Sequence, residues 1–235
     1  MNPQQTFEII ALELKRNANP EKSVGMKKYM KDQGDFLGIS SPLRKEITKE
    51  WLKVRWETES ENFDFFHLLW DAPHREFQYL GMEWAHKQKL WKSENFLSIL
   101  EHCIHSRPWW DTLDFIASNW AGGYFSSFPE KREEVLPRWI SHSHFWFNRV
   151  AILHQLTYKS KTDEGWLERC MLPHFEQKEF FIRKSIGWAL RQYARTSPDW
   201  VLGFVEKHPL SNLSKREALR RSGFRSTKLS TYHKS

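Results

Sequence analysis

The sequence is poor in the features that would cross-link the chain or place it in a membrane. It has only 2 cysteines in 235 residues, too few for a disulfide framework, so we expect a reducing compartment. No apolar run reaches the roughly 18 residues that a membrane-spanning helix needs. The N-terminal stretch lacks the basic start, apolar block and cleavage site of a secretory signal, so we expect a cytoplasmic protein.

The sequence also lacks a complete set of metal ligands. The stretch HCIH, residues 102–105, places Cys103 next to two histidines, as part of a metal site would. No second CxxC or HxxxH pair completes a tetrahedral set, so no metal and no other cofactor is predicted. The alternative is that these are buried or surface residues without a special role.

Strand-like alternation of apolar and polar residues is not sustained anywhere, whereas helical spacing is common, so the chain is predicted to be all-α. Proline recurs at positions typical of a helix start, where its missing N–H costs nothing. Ser41 and Ser197 are the expected N-caps of the helices that follow them. The prolines at these expected starts are Pro42, Pro73, Pro108, Pro129, Pro173 and Pro198.

Helical segments of similar layout recur along the chain at intervals of about 30 to 45 residues. Arg149 and Lys184 are 35 positions apart, and Lys184 and Arg216 are 32 apart, each near the expected beginning of a helix. Such periods indicate a curved solenoid of HEAT-like helical repeats. Basic side chains at equivalent positions would line its concave face and follow a phosphate backbone.

The charge is unevenly distributed. Lysine and arginine number 36 against 29 acidic residues, a formal net charge of +7. Residues 180–195 carry four basic residues and no acid, and residues 210–235 carry seven basic residues against Glu217 alone. This pattern favours a polyanion as partner, although a solvated basic surface would look the same.

The stretch SRPWWDTLDF, residues 106–115, concentrates indoles and carboxylates in this basic chain. If Pro108 opens a helix, Trp110 and Asp114 are four apart and share a face. Trp109 is expected in the core, and the helix dipole accounts for Asp111. An indole beside a carboxylate suits a cationic guest, and Trp188 could supply a second indole. A purine alkylated on a ring nitrogen is such a guest, because it is positively charged. This charge already weakens the glycosidic bond, so one carboxylate suffices to stabilise the sugar cation.

The chain resembles the AlkD-type DNA alkylation repair glycosylases from about Pro20 to Arg221. The motifs that carry the resemblance are KKYMKDQGDFLGIS, LWDAPHREFQYLGMEW, SRPWWDTLDFIAS, WFNRVAILHQLTYK, EFFIRKSIGWALRQYARTSPDW and LSKREALR. The resemblance implies HEAT-like repeats that cradle duplex DNA. It also implies hydrolysis of N3- or N7-alkylated purine nucleotides without a cofactor, as a base-excision repair step in the cytoplasm.

The resemblance assigns roles to particular residues. Asp114 matches the catalytic aspartate, Trp110 and Trp188 match the indoles at the lesion, and Arg149 and Tyr29 match DNA contacts. The further predicted DNA-binding residues are Ser41, Arg44, Lys184, Arg191, Lys215 and Arg216.

Two other functions stay open from the sequence, a non-catalytic helical-repeat module that binds nucleic acid and a protein–protein scaffold. We expect one domain over residues 1–235, of which about 222–235 could be a flexible basic tail. A groove around one duplex needs only a monomer, and no obligate protein partner is implied.

Overall fold

The structure, a computed structural model, describes residues 1–220. The predicted tail at residues 222–235 lies outside them. Within the described range the regular elements are helical, and the one strand-like feature is an isolated bridge between Asp35 and His74. The all-α prediction is confirmed. No helix in residues 1–220 is both long and apolar enough to cross a membrane.

The described residues form two compact units, Met1–Ile116 and a second unit that begins at Ala117. The helices of the first unit are α1 Pro3–Arg16, α2 Pro20–Tyr29, α3 Ser41–Thr48, α4 Glu59–Trp70, α5 Arg75–Gln88, α6 Leu97–His105 and α7 Trp110–Phe115. A π-helical segment, Ile116–Ala121, follows α7. The helices of the second unit are α8 Gly122–Ser127, α9 Lys131–Ile140, α10 Phe145–Leu153, α11 Glu164–Met171, α12 Phe180–Tyr193, α13 Pro198–Lys207 and α14 Asn212–Leu219. A single domain over residues 1–235 stays a prediction.

The core of the first unit is aromatic. The Phe65 ring of α4 lies 4.8 Å from Trp56 and 4.9 Å from Trp84 of α5, measured between ring centroids. Phe65 and Trp84 are fully buried. Large aromatic side chains bury much apolar area, and edge-to-face contacts add to that. This packing holds α4 and α5 together, with α1 against α4.

The second unit shows helical-repeat packing. Helix α12 packs against both α10 and α14, while α11 packs on α10 and α13 on α12. The approach of α12 to α14 requires Gly187, because a Cβ at this position would lie 2.8 Å from the Ser214 carbonyl oxygen. The predicted helical repeat is therefore confirmed, whereas a curved basic groove stays a prediction.

Several predicted helix starts are wrong by one or more residues. Helix α3 begins at Ser41, so Ser40 and not Ser41 is its N-cap. Pro42 and Pro198 lie in a first helical turn as predicted, and Ser197 is the N-cap of α13. Pro73, Pro108 and Pro129 precede the first helical residue by two positions, and Pro173 lies in a short 3₁₀ helix. Proline restricts the residue before it, so it also suits the turn that leads into a helix.

Candidate nucleic-acid interface and active site

Helix α7 carries the proposed catalytic pair. Pro108 does not open it, because Arg107 has a positive φ of 52° and Trp109 is extended, so the helix begins at Trp110. Trp110 is its first residue and Asp114 its fifth, which preserves the predicted spacing of four on one face. Both side chains are half-buried.

Tyr29 is the last residue of α2 and lies next to Trp110. Its side chain is 71% exposed, and its ring lies 6.2 Å from the Trp110 ring in an edge-on arrangement. Of the residues predicted from the resemblance, Tyr29 and Trp110 are thus neighbours in the first unit. Together they offer aromatic surface to solvent beside the face that carries Asp114.

Asp111 has a more specific role than compensating the helix dipole. Its buried carboxylate forms an ion pair with the buried Arg75 guanidinium and accepts a 2.6 Å hydrogen bond from the Tyr79 hydroxyl. Arg75 also donates to the Thr112 hydroxyl and to the Arg107 carbonyl oxygen. Burial, and then the charge and hydrogen bond of Asp111, raise the pKa of Tyr79 far above its ordinary value. This network ties α7 to α5.

Arg44 lies in α3 with its charge already paired. Its side chain is 4% exposed, and its guanidinium donates two hydrogen bonds to the Glu83 carboxylate, at 2.7 and 2.9 Å. A bidentate pair of this kind is among the stronger ionic contacts in proteins. Arg44 therefore holds α3 to α5, and its predicted contact with DNA stays a prediction. Ser41, the predicted contact one turn earlier, is exposed.

A cavity of about 630 Å³ opens beside these residues. Its lining combines four of the side chains described above, Tyr29, Arg44, Tyr79 and Asp111. The rest of the lining is made up of Lys22, Ser41, Glu76, Gly25 and four apolar side chains, Met26, Met30, Phe36 and Ile39. An apolar recess with a few convergent polar groups is the usual form of a small-ligand site.

The loop that borders this cavity is held by one carboxylate. Glu76, which is 1% exposed, accepts hydrogen bonds of 2.9, 2.9 and 3.1 Å from the backbone N–H groups of residues 37–39. Gly38 has a φ of 84°, and a Cβ there would lie 1.9 Å from the Asn19 carbonyl oxygen. The loop therefore requires glycine at this position as well as the buried acid.

In the second unit, Arg149 is buried to 4% exposure in α10. Its guanidinium donates to the Phe181 carbonyl oxygen and lies over the Trp146 and Phe181 rings, at 5.9 and 5.6 Å from their centroids. Arg149 thus joins α10 to the beginning of α12. Its predicted contact with the DNA backbone is not tested by these contacts.

Lys184 and Arg191 of α12 share a single acid. Glu217 of α14 lies 2.9 Å from the Lys184 ammonium and 2.8 Å from the Arg191 guanidinium. Burial alone would raise the pKa of Glu217, but its hydrogen bond and charge interactions with Lys184, and then those with Arg191, lower it below its ordinary value. One carboxylate thus faces at least two cations, which leaves net positive charge.

The remaining predicted residues of this unit are Trp188, Lys215 and Arg216. Trp188 lies one turn after Lys184 in α12 and is half-buried. Lys215 is half-buried and Arg216 exposed, both on α14. The structure thus gathers the basic residues around α12 and α14, while the roles of Trp188, Lys215 and Arg216 stay predictions.

The sequence analysis missed Arg75, Glu76, Tyr79 and Glu83, which anchor the elements around the cavity. All four belong to the motif LWDAPHREFQYLGMEW, which carried the resemblance without an assigned role. The available signal was two acids and an arginine at spacings that place them on the buried face of one helix. Buried charges of this kind require partners elsewhere in the fold.

The fold and these contacts define an all-helical repeat protein with an apolar recess that a few polar and charged side chains border in one unit and a basic cluster in the other. The DNA alkylation repair enzyme family matches residues 10–221, and the chain belongs to that family. A solved structure described as a predicted DNA alkylation repair enzyme from Enterococcus faecalis is similar in fold, with a TM-score of 0.81 and 29% sequence identity. The similarity covers 88% of this chain and 97% of that one. No curated protein matches the sequence significantly.

Proposed function

We propose that the protein is a DNA glycosylase that hydrolyses the N-glycosidic bond of cationic N3- or N7-alkylated purine nucleotides in duplex DNA. Membership of the DNA alkylation repair family supports DNA as the substrate. The observation that carries the specific reaction is the pairing of Trp110 and Asp114 on one face of α7, beside the exposed Tyr29. Monofunctional hydrolysis needs no cofactor in this scheme.

The chemistry follows from the charge of the substrate. An alkylated ring nitrogen makes the purine cationic, so the bond from the base to C1′ is already weakened and the base leaves without a general acid. Cleavage leaves positive charge on the sugar, and the Asp114 carboxylate stabilises this oxocarbenium-like state. Water then adds to C1′, and Asp114 orients it and takes up its proton.

An indole side chain can act on the positive charge of the substrate. A cation over the face of tryptophan is attracted by the ring quadrupole, an effect that strengthens when water is excluded. We assign this role to Trp110 on its position next to Asp114, and to Trp188 on its position in the basic helix α12. A neutral, unmodified purine can stack on an indole but lacks the attraction of a positive charge to the ring and to Asp114, which is how the proposal accounts for selectivity.

Release of free base from duplex DNA that contains 7-methylguanine tests the proposal. We expect release by the wild type above the spontaneous rate, and a loss of at least about 100-fold for Asp114→Asn, since electrostatic groups of this kind contribute on that scale. The matched control is Asp199→Asn, an exposed aspartate in the first turn of α13, which we expect to retain wild-type rates.

Two outcomes would contradict the proposal. Undiminished release by a folded Asp114→Asn variant would remove Asp114 from the mechanism. DNA binding by the wild type without release of base would instead leave the non-catalytic nucleic-acid-binding function.

A further inference from the structure

A histidine and aspartate cluster lies at the end of α4, apart from the cavity described above. The Nε2 of His102 in α6 lies 2.7 Å from one carboxylate oxygen of Asp71, and the Nδ1 of His67 lies 3.8 Å from the other. The two imidazole rings stand edge to face with centroids 4.7 Å apart. Three candidate ligand atoms, one from each residue, all lie within 4.8 Å of one another.

The backbone brings these side chains together in a defined way. His67 lies in the last turn of α4 and Asp71, four residues later, is the C-cap of this helix, where its N–H donates a 2.9 Å hydrogen bond to the His67 carbonyl oxygen. His102 lies in α6, 31 positions after Asp71 in the chain. The two positions on α4 are therefore fixed by the helix, and a bound ion would link α4 to α6.

The surroundings give an ion access to the cluster. The three side chains are between 31% and 51% exposed. His67 and Asp71 border an open groove of about 760 Å³ that Glu61 and Asp64 also line. These acidic neighbours favour the entry of a cation.

We propose that His67, Asp71 and His102 form a binding site for a zinc ion. Imidazole nitrogen and carboxylate oxygen bind Zn²⁺ at about 2.0 to 2.2 Å, which places neighbouring ligand atoms roughly 3.3 Å apart in a tetrahedral site. The observed separations bracket that value, so small side-chain rotations would form the site, and coordination would replace the hydrogen bond between His102 and Asp71. A single carboxylate with two imidazoles suits Zn²⁺ better than Mg²⁺ or Ca²⁺, which prefer oxygen ligands.

The site differs from the one that the sequence motif HCIH suggests. Cys103 is fully buried and faces the core, so its sulfur is not a ligand. The partners of His102 are instead His67 and Asp71, the first and last residues of the segment HLLWD at the end of α4. With three protein ligands, water occupies the fourth position, and the ion acts as a clamp between α4 and α6.

Titration of the chelator-treated full chain with Zn²⁺ tests the proposal. We expect one Zn²⁺ per chain at micromolar concentration, and a rise in unfolding temperature of about 5 °C at saturating metal. Asp71→Asn and His102→Gln should each weaken binding at least about 10-fold. Substitution of Co²⁺ should give the visible absorption of a tetrahedral site, a signal that a non-specific surface ion does not produce.

The matched control is His105→Gln, on the same helix as His102, which should retain wild-type affinity. Because the cluster is partly exposed, the variants should fold, and far-UV circular dichroism checks this. If either variant unfolds, His67→Gln provides the same comparison. The proposal is overturned if the wild type binds no Zn²⁺ at micromolar concentration, or if binding survives unchanged in the folded variants.

Discussion

Two aspartates three positions apart in α7 lie in different surroundings. The Asp111 side chain is 7% exposed and compensates the buried charge of Arg75. Asp114 lies about one turn after Trp110, on the same face of α7. The spacing from Trp110 led to the prediction that Asp114 is catalytic. It could not reveal the partner of Asp111, because Arg75 lies 36 positions earlier and no local pattern connects the two.

Loss of the Asp111 charge should be strongly destabilising. In Asp111→Asn the Arg75 guanidinium, 3% exposed, would remain buried without its counter-ion. Breaking one side of a buried pair costs roughly 3 to 5 kcal/mol, far more than the pair contributes in total. Urea denaturation of the variant measures the change in the free energy of unfolding.

The matched control for this variant is Glu50→Gln, which removes one side of an exposed ion pair with Lys53. Exposed pairs contribute little, so we expect no measurable change. Equal stability of Asp111→Asn and the wild type would show that water reaches Arg75.

At the scale of the helix, a common register connects the predicted residues. Asp114 is the fifth residue of α7, and Arg149, Lys184 and Arg216 are the fifth residues of α10, α12 and α14. The intervals in the sequence therefore correspond to the same position counted from the start of each helix. They could not predict exposure, because burial depends on the neighbouring helices. Arg149 is buried under Phe181, whereas Arg216 is exposed.

His154, the C-cap of α10, should make stability depend on pH. Burial, only partly offset by its hydrogen bond to the Ala151 carbonyl oxygen, lowers the pKa of His154 to about 4 in the folded chain. Above the unfolded value of about 6.5 neither state binds the proton, so stability is complete. As the pH falls from about 6.5 towards 4, the unfolded chain alone takes up the proton, and about 3 kcal/mol of stability is lost.

Urea denaturation at a series of pH values, for the wild type and His154→Gln, measures this effect. The variant lacks the titrating group, so its stability should fall less over this interval even if it is lower at pH 7. The expectation fails if the two chains lose equal stability between about pH 6.5 and 4.

At the scale of the whole molecule, the excess of 36 basic over 29 acidic residues does not translate directly into free positive charge. Glu217 is shared by Lys184 and Arg191, with Arg220 at 3.9 Å. The cluster remains net positive but is internally compensated in part. Counting charges from the sequence therefore overestimates how many cations can meet a phosphate.

Arg216→Ala should weaken DNA binding and reduce its dependence on salt. Each phosphate contact contributes about 0.9 to the slope of the logarithm of the binding constant against that of salt concentration. We expect a decrease of about one unit, measured by fluorescence anisotropy with duplex DNA at several salt concentrations.

The control is Arg169→Ala in the same unit, because Arg169 is already paired with Glu133 and stacked 3.9 Å from the centroid of the Trp166 ring. Its slope should stay at the wild-type value. An equal decrease in both variants would mean that the slope reports general charge rather than contact at α14.

The loop of residues 37–39 has a consequence for where DNA can bind. Consecutive backbone N–H groups that converge on one point form a nest, the arrangement with which many proteins hold a phosphate. Here Glu76 of the same chain occupies that nest, so the protein carries an internal substitute for the anion. The backbone N–H groups of this loop are therefore already occupied, and the contacts predicted for the first unit, Tyr29 and Ser41, are side chains outside this nest.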